Sequence, residues 1–364
     1  MKQDIKDIFN RFQAEGTFES SAPYGSGHIH DTFIVNTTEK EKDDYILQRL
    51  NKKIFKNIPQ LQNNIEKVTF HLQSKLLSKP GSDLKRECLN LIRSREGKTW
   101  TTDYEGSFWR MYIFISRHRS YDIVDSTGKA FEGGKAIGKF QAMLADMGGD
   151  QLYETIPWFH NIENRLEIFS NKVKADSVKR ADSVKKEIGF ITDRADEMKI
   201  ILKLGKEGKI PERITHNDTK FNNILLDEND KALCVIDLDT VMPGYVHYDF
   251  GDAIRTATNM AAEDEKDLSL VKMNLELFRA YSEGYLSETS DTLNKTEKEY
   301  LAFAPRLLTF TIALRFLTDY LDGDNYFKIH HEHHNLQRAR AQMKLVESME
   351  EQYEDMKRII RELA

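Results

Sequence analysis

The stretch Ile214-Thr-His-Asn-Asp-Thr-Lys-Phe-Asn-Asn-Ile-Leu-Leu226 contains His216-x-Asp218, with Asn223 five residues past the aspartate. An apolar run, Leu233-Cys-Val-Ile236, then leads into Asp237. Two carboxylates and an amide at this spacing suit phosphoryl transfer. That reaction asks for in-line positioning and for neutralisation of charge on phosphate oxygens, and for little covalent help. Asp218 is placed to meet an attacking hydroxyl. Asn223 and Asp237 offer the hard oxygen ligands that Mg²⁺ prefers. His, Asn and Asp also populate ordinary turns. The downstream aspartate at the end of a strand-like run is what separates this motif from a simple turn.

Such residues need elements to hold them. Ile5, Ile8, Phe9 and Phe12 recur at helical spacing, which predicts a helix over the first 20 residues. Residues 21–35 read as a glycine turn followed by an extended run. Residues 36–44 form a polar turn, and Tyr45-Ile-Leu-Gln-Arg-Leu50 is the next apolar segment. These are antiparallel strands joined by tight turns. Leu61, Ile65, Val68 and Leu72 predict a helix over 59–77, and a second strand group is expected at 88–92, 99–104 and 108–115. From about Lys135 the chain turns mostly helical. The duplicated hexamer, Ala175-Asp-Ser-Val-Lys-Arg then Ala181-Asp-Ser-Val-Lys-Lys, is expected on an exposed helix. The spacing H-x-D-x-x-x-x-N with a later metal-binding aspartate is that of a kinase catalytic loop. The expected architecture is therefore α+β, a protein-kinase-like bilobal fold. A strand-rich N-lobe would span 1–115 and a mainly helical C-lobe 116–364, with ATP and Mg²⁺ between them.

The N-terminal strands carry a second motif. Gly25-Ser26-Gly27 follows Tyr24 and precedes a strand, so small residues would let backbone N–H groups approach phosphate. A lysine is expected on the following strand. By register, Gln48 takes that place, where it could hydrogen-bond a phosphate without supplying charge. Arg49 should point to the opposite face. Glu66 is the nearest helical glutamate for the ion pair that such a lysine would make.

Composition narrows the classes. A chain of 364 residues predicts two lobes. Its aromatic share of 10% argues against disorder. Lys plus Arg (53) nearly balances Asp plus Glu (59), which leaves no basic footprint for nucleic acid. No stretch approaches the roughly 20 apolar residues that span a bilayer. The charged N-terminus lacks an apolar h-region, so a cytoplasmic location is expected. Cys88 and Cys234 are too few for a disulfide framework or a cysteine-rich metal site.

Three motifs carry a resemblance. Residues 215–223, Val235-Ile-Asp-Leu-Asp-Thr-Val-Met-Pro-Gly244 and Tyr248-Asp-Phe-Gly-Asp-Ala-Ile-Arg255 resemble the aminoglycoside phosphotransferase superfamily. Within it the likeness is greatest to N-acetylhexosamine 1-kinases. It extends over nearly the whole chain, through Tyr24-Gly-Ser-Gly-His-Ile29, Tyr45-Ile-Leu-Gln48, Trp109-Arg-Met-Tyr112 and Arg315-Phe-Leu-Thr-Asp-Tyr-Leu-Asp-Gly-Asp-Asn-Tyr-Phe327. The resemblance implies transfer from ATP to the anomeric hydroxyl of N-acetylglucosamine or N-acetylgalactosamine. Asp218 would orient that hydroxyl and accept its proton, and Asn223 and Asp237 would bind Mg²⁺. Backbone at Tyr112, Ile113, Phe114 and Ile115 would hold adenine, and Gly25, Ser26 and Gly27 would cover the phosphates. His28, Arg315 and Tyr326 match sugar-binding positions. Two departures bear on the sugar preferred and not on the chemistry: His30 stands where the family pattern has Asn, and Thr256 where relatives can carry an aromatic.

There are two rival readings, the first within the same superfamily and the second from a different class. One is a small-molecule kinase for an amino sugar, another hexose, an aminoglycoside or a choline-like amine. A cationic acceptor would want an acidic pocket, which His28 and Arg315 oppose. The other is a non-catalytic nucleotide-binding protein, opposed by the complete set of Asp218, Asn223 and Asp237. Oligomeric state is left open. Other residues receive plainer readings. The run His330-His-Glu-His-His334 is a solvated edge, Asp239 points away from the metal, and Asp249 and Asp252 cap and anchor loops. Arg315 has an alternative as an i, i+4 ion pair with Asp319.

Overall fold

A computed structural model describes residues 5–25, 29–39, 41–148 and 152–364. A short helix α1 (Ile5–Phe9) precedes strands β1 (Phe18–Pro23), β2 (Asp31–Thr37) and β3 (Tyr45–Arg49). Helices α2 (Ile58–Leu77) and α3 (Leu84–Glu87) follow, then β4 (Leu91–Ile92), β5 (Thr101–Thr102) and β6 (Phe108–Ile113). All pairings in this sheet are antiparallel, in the order β1-β2-β3-β6-β4, with β5 also on β6.

Alternation gives the sheet two working faces. Tyr45, Leu47, Trp109 and Met111 pack against Ile8, Phe9 and Phe12 on one side. The other side carries Gln48 opposite Arg110 and Ile46 opposite Tyr112. On that side Tyr112 joins a core that α2 shares with the rest of the molecule. Leu61, Ile65, Val68 and Leu72 of α2 lie there with Ile214, Leu225, Leu238 and Val241. The Asn57 side chain caps α2 by accepting the Gln60 N–H.

The remainder is mainly helical. It begins with α4 (Thr127–Leu144), α5 (Ile162–Ala175), α6 (Lys185–Arg194) and α7 (Ile200–Lys206). Two small two-stranded sheets interrupt it: β7 (Arg213–Thr215) with β10 (Met242–Gly244), and the hairpin β8 (Ile224–Leu226) with β9 (Ala232–Val235). Then come α8 (Val246–Ala257), α9 (Leu275–Thr289), α10 (Lys295–Glu299), α11 (Ala304–Leu321), α12 (His334–Glu351) and α13 (Tyr353–Leu363). Helices α4 and α9 cross closely because both contribute glycine. A Cβ on Gly134 would stand 2.0 Å from the Tyr281 carbonyl oxygen, and one on Gly284 2.0 Å from that of Phe131.

The architecture is the α+β, antiparallel-sheet-then-helices arrangement expected from the sequence, with local corrections. The N-terminal helix ends at Phe9, and Phe12 instead forms a bridge with Ser94. The duplicated hexamer is not one helix. Asp176 terminates α5 in the left-handed region (φ 39°), and the second copy opens with a 3₁₀ turn, Ala181–Val184. Two copies of one hexamer thus take different structures, because the first supplies a helix end. Strands in the second group are shorter than their apolar runs.

Candidate active site

The catalytic-loop motif runs from β7 to β8. Asn217 adopts φ 66°, a left-handed conformation that Asn tolerates. Its side-chain amide donates to the Thr240 carbonyl at 2.9 Å. Asp249 of α8 secures the same turn, accepting the N–H groups of His216 (2.8 Å) and Asn217 (2.7 Å) and an amide N–H of Gln141 (2.8 Å). Its anchoring role is as read from the sequence, but it caps no helix: the residue at the α8 N-cap is Tyr245. Thr256 accepts the Phe221 N–H at 3.1 Å and so braces the loop from α8.

His216 ties the motif to the second aspartate. Its Nδ1 accepts the Asp218 N–H at 3.3 Å, so Nε2 carries the proton and donates to the Ile236 carbonyl at 2.8 Å. The β8–β9 pairing continues beyond the strands, with the Ile236 N–H donating to the Asn223 carbonyl at 2.9 Å. Asn223 and Asp237 are thereby brought side by side. The Asn223 amide also donates to the Asp218 carbonyl (2.7 Å) and carboxylate (3.3 Å). Asp218, Asn223 and Asp237 form one cluster.

Charge within that cluster is unevenly compensated. Burial alone would raise the Asp218 pKa, but the Lys220 charge leads the effects that outweigh it and hold the carboxyl below its ordinary value. Lys220 Nζ lies 3.2 Å from Asp218 Oδ2, and Asp218 and Asp237 push its pKa upward. Asp237 behaves oppositely: burial, with Asp239 and Asp218 adding to it, raises its pKa. Asp237 sits at φ 63°, and no described residue hydrogen-bonds to its carboxylate. A strained, half-buried carboxylate among like charges is suited to a cation. Among the described residues no group of three or more His, Cys, Asp or Glu could hold a metal. Asn223 and Asp237 offer two protein ligands, and phosphate oxygens would have to complete the shell, the usual manner of Mg²⁺.

Asp239 is fully engaged elsewhere. The Arg110 guanidinium grips it with both terminal nitrogens, one at 3.0 Å, and His30 Nε2 donates to it. His30 Nδ1 accepts the Asn51 N–H at 3.0 Å, which fixes the proton on Nε2. Burial opposes the Asp239 charge, yet Arg110 and His30 hold its pKa well below the usual carboxylate range. Arg110 Nε donates to Gln48 Oε1 at 2.8 Å, and the Gln48 amide donates to Thr32 at 3.0 Å. Thr32, Gln48 and Arg110 are register partners on β2, β3 and β6. Both ends of Gln48 are therefore used within the protein. The cation missing from its strand position comes from the neighbouring strand. Arg49 pairs with Asp31 at the surface, and Glu66 pairs with Arg93 instead of any cleft cation.

Around the expected adenine site, Ile113 and Phe114 already spend their N–H groups on the carbonyls of Asn90 (3.0 Å) and Asp44 (2.8 Å). Ile115 N–H donates to no described residue. Tyr24 packs edge-on against Phe114, with ring centroids 5.6 Å apart, and Gly25 turns the chain at φ 78°. Ser26, Gly27 and His28 lie outside the described residues.

Arg315 projects from α11 among three rings, 5.2 Å from the centroid of Phe159, 5.7 Å from that of Tyr326 and 5.4 Å from that of Phe327. The i, i+4 pair with Asp319 does not form. Asp319 instead accepts the N–H groups of Tyr326 (2.8 Å) and Phe327 (2.9 Å) and the Asn335 amide (2.9 Å). The next residue after Phe159 reaches the catalytic loop: His160 Nε2 donates to the Asn217 carbonyl at 2.8 Å. Arg315 and Asp218 both act electrostatically on His160, whose pKa burial pushes down to about 3. In the histidine-rich run, His334 meets Asp264 at 2.9 Å and His333 meets the Tyr320 hydroxyl at 3.1 Å.

Sequence reading passed over Lys220 and Arg110. Lys220 was visible inside the motif, two residues past Asp218. Arg110 had one signal, a lone cation in the apolar strand Phe108–Ile113.

Residues 122–287 match the model of the phosphotransferase enzyme family. Among solved structures, an aminoglycoside phosphotransferase from Alicyclobacillus acidocaldarius superposes with a TM-score of 0.64 at 10% identity, covering 98% of each chain. A spectinomycin phosphotransferase bound to ADP and spectinomycin matches at 0.60 and 14% identity, covering 97% of this chain and 99% of that one. An amicoumacin kinase with AMP-PNP and Ca²⁺ matches at 0.61 and 12%, covering 97% and 93%. At such identities the structural likeness speaks for the fold, while the family model speaks for the segment holding Asp218, Asn223 and Asp237. Residues 122–287 thus carry the match to the phosphotransferase enzyme family, and the whole chain has the fold of these kinases.

Proposed function

We propose that this protein transfers the γ-phosphoryl group of ATP to the anomeric hydroxyl of an N-acetylhexosamine. The observation that carries the acceptor assignment is Arg315: it is free of the expected partner Asp319, it lies on aromatic rings, and it is linked to the catalytic loop through Phe159 and His160. Aromatic faces suit the C–H faces of a sugar ring, and a guanidinium suits its oxygens. A cationic acceptor would be repelled there.

In this reading Asp218 accepts the hydrogen bond of the acceptor hydroxyl and takes its proton as the new O–P bond forms. The bond between the γ-phosphorus and the β,γ-bridging oxygen breaks, and ADP leaves. With its pKa held low, Asp218 orients more than it deprotonates, which suits a loose transition state. Lys220 neutralises charge beside Asp218. Asn223 and Asp237 would hold Mg²⁺, which draws charge from the phosphate oxygens. The glycine turn at Gly25–Gly27 would cover the phosphates, and the backbone at Tyr112–Ile115 would take adenine, Ile115 N–H being the free donor. The C-lobe from about 116 onward then carries the acceptor and the N-lobe up to 115 the nucleotide.

The test is an ADP-release assay with Mg-ATP across N-acetylglucosamine, N-acetylgalactosamine, glucosamine, galactosamine, galactose, kanamycin and choline, with NMR of the product. Turnover of an N-acetylhexosamine, with coupling between phosphorus and the anomeric proton, supports the reading. Turnover of kanamycin or choline alone overturns the sugar assignment.

A further inference from the structure

Beside Arg315 stands a second guanidinium. Arg165 of α5 and Arg315 of α11 line one cavity, together with Thr318, Tyr326, Phe327 and the paired Lys172. Lys172 is matched by Asp322 at 2.5 Å, and the other carboxylate in the wall, Asp319, is taken up by three N–H donors. Neither arginine has a carboxylate partner among the described residues. Arg165 has only the Phe159 carbonyl, at 2.9 Å from Nη2 and 3.2 Å from Nε. Arg315 makes no hydrogen bond to the described residues.

Two guanidiniums that share a half-buried cavity repel each other. Burial, and next the Arg315 charge, lower the Arg165 pKa to about 10, and no carboxylate acts on it to offset this. A fold that leaves two such cations together leaves a site for negative charge. The geometry points to an acceptor selector: we infer that Arg165 and Arg315 together bind an anionic group, a carboxylate or phosphate ester, carried on the hexose acceptor. Acceptance then falls in the order anionic hexose, neutral hexose, cationic amine. The inference rests on the reading that this cavity receives the acceptor, and Arg165 is its specificity-determining addition.

The experiment uses the full chain with Mg²⁺ and AMP-PNP bound, so that the nucleotide site is filled. Calorimetric titration with galacturonate, N-acetylglucosamine 6-phosphate, galactose and N-acetylglucosamine compares each anion with its neutral parent. At least one anion should bind about 10- to 100-fold more tightly than its parent, the contribution of a charge-assisted hydrogen bond. Whether the carboxylate or the phosphate gains more separates the two sources of charge. Arg165→Met should abolish that gain and leave binding of the neutral parent within about threefold, and Arg165→Lys should restore part of it. Equal or weaker binding of both anions, or a gain unchanged in Arg165→Met, overturns the inference. Turnover is measured separately with Mg-ATP. A protein that phosphorylates neutral N-acetylhexosamines yet gains nothing from the anion sinks the selector and keeps the proposed function. Anion binding lost in Arg165→Met, without turnover of any hexose, keeps the anion site and sinks the proposed function.

Discussion

Arg110 and Arg315 are the same residue type on two sides of the catalytic loop, and the structure uses them in opposite ways. Arg110 is 1% exposed, and both its terminal nitrogens and its Nε are spent on Asp239 and Gln48. Arg315 is half-buried on three aromatic rings, with no protein acceptor among the described residues. The difference teaches that partners, not residue type, decide which arginine is spent on the fold and which is left available to a ligand. A buried ion pair contributes little net stability but is costly to break, because the surviving charge is stranded. An unpaired arginine whose guanidinium lies over rings strands no partner charge when it is removed.

Both arginines take their meaning from the loop between them, so the largest expected effect is there. Asp218→Asn should lower kcat by about 10²- to 10⁴-fold while nucleotide affinity changes little. Steady-state ADP release and nucleotide titration check this, and unchanged turnover would remove Asp218 from the chemistry.

The clamp is tested next. Arg110→Met strands Asp239 and should cost about 3–5 kcal/mol of stability, read by urea unfolding. Arg110→Met combined with Asp239→Leu should be less destabilised than Arg110→Met alone, since no charge is left stranded. A single variant as stable as the parent would reduce the clamp to incidental contact.

Arg315→Met sharpens the other side. Acceptor KM should rise about 10- to 100-fold, with kcat less affected and unfolding shifted by no more than about 1 kcal/mol. A stability loss as large as that of Arg110→Met would mean that Arg315 serves packing.

A last comparison concerns the pH dependence of stability. Burial pushes His160 down to about 3 and His247 down to about 4, while the unfolded chain protonates each near 6.5. Below pH 6.5 the unfolded state thus binds more protons, and stability falls as pH falls, by up to about 1.4 kcal/mol per unit for each histidine. The loss from His247 levels off near pH 4 and that from His160 near pH 3. Urea midpoints between pH 7 and 5 should show this slope, and His160→Gln should reduce it.

Much of the site lies in one contiguous stretch and is legible for that reason. His216, Asp218, Asn223 and Asp237 sit within one turn-and-hairpin unit, where chain connectivity and β8–β9 register alone fix their neighbourhood. The antiparallel sheet and α2 were likewise written in period-2 and 3.6-residue patterns. The clamp is different. Arg110 and Asp239 are 129 positions apart, and His30 and Asp239 are 209 apart. No local rule links such residues. His30 read as a substituent near the sugar proves to be a pin on Asp239, and Gln48 read as a phosphate ligand proves to steady Arg110. The hexamer duplication misled because nearly identical local sequence took its form from where α5 ends.

By itself, then, the amino-acid order determined the fold class and the local grouping of Asp218, Asn223 and Asp237 in the candidate loop, since these depend on local periodicity and on short spacings. Tertiary structure alone decided which charges are matched. Asp319 goes to backbone N–H groups and not to Arg315, Asp239 goes to Arg110, and Arg165 and Arg315 are left facing one cavity. Pairing of charges is a through-space property settled by burial and distance, and a linear sequence lists the charges without saying which of them meet.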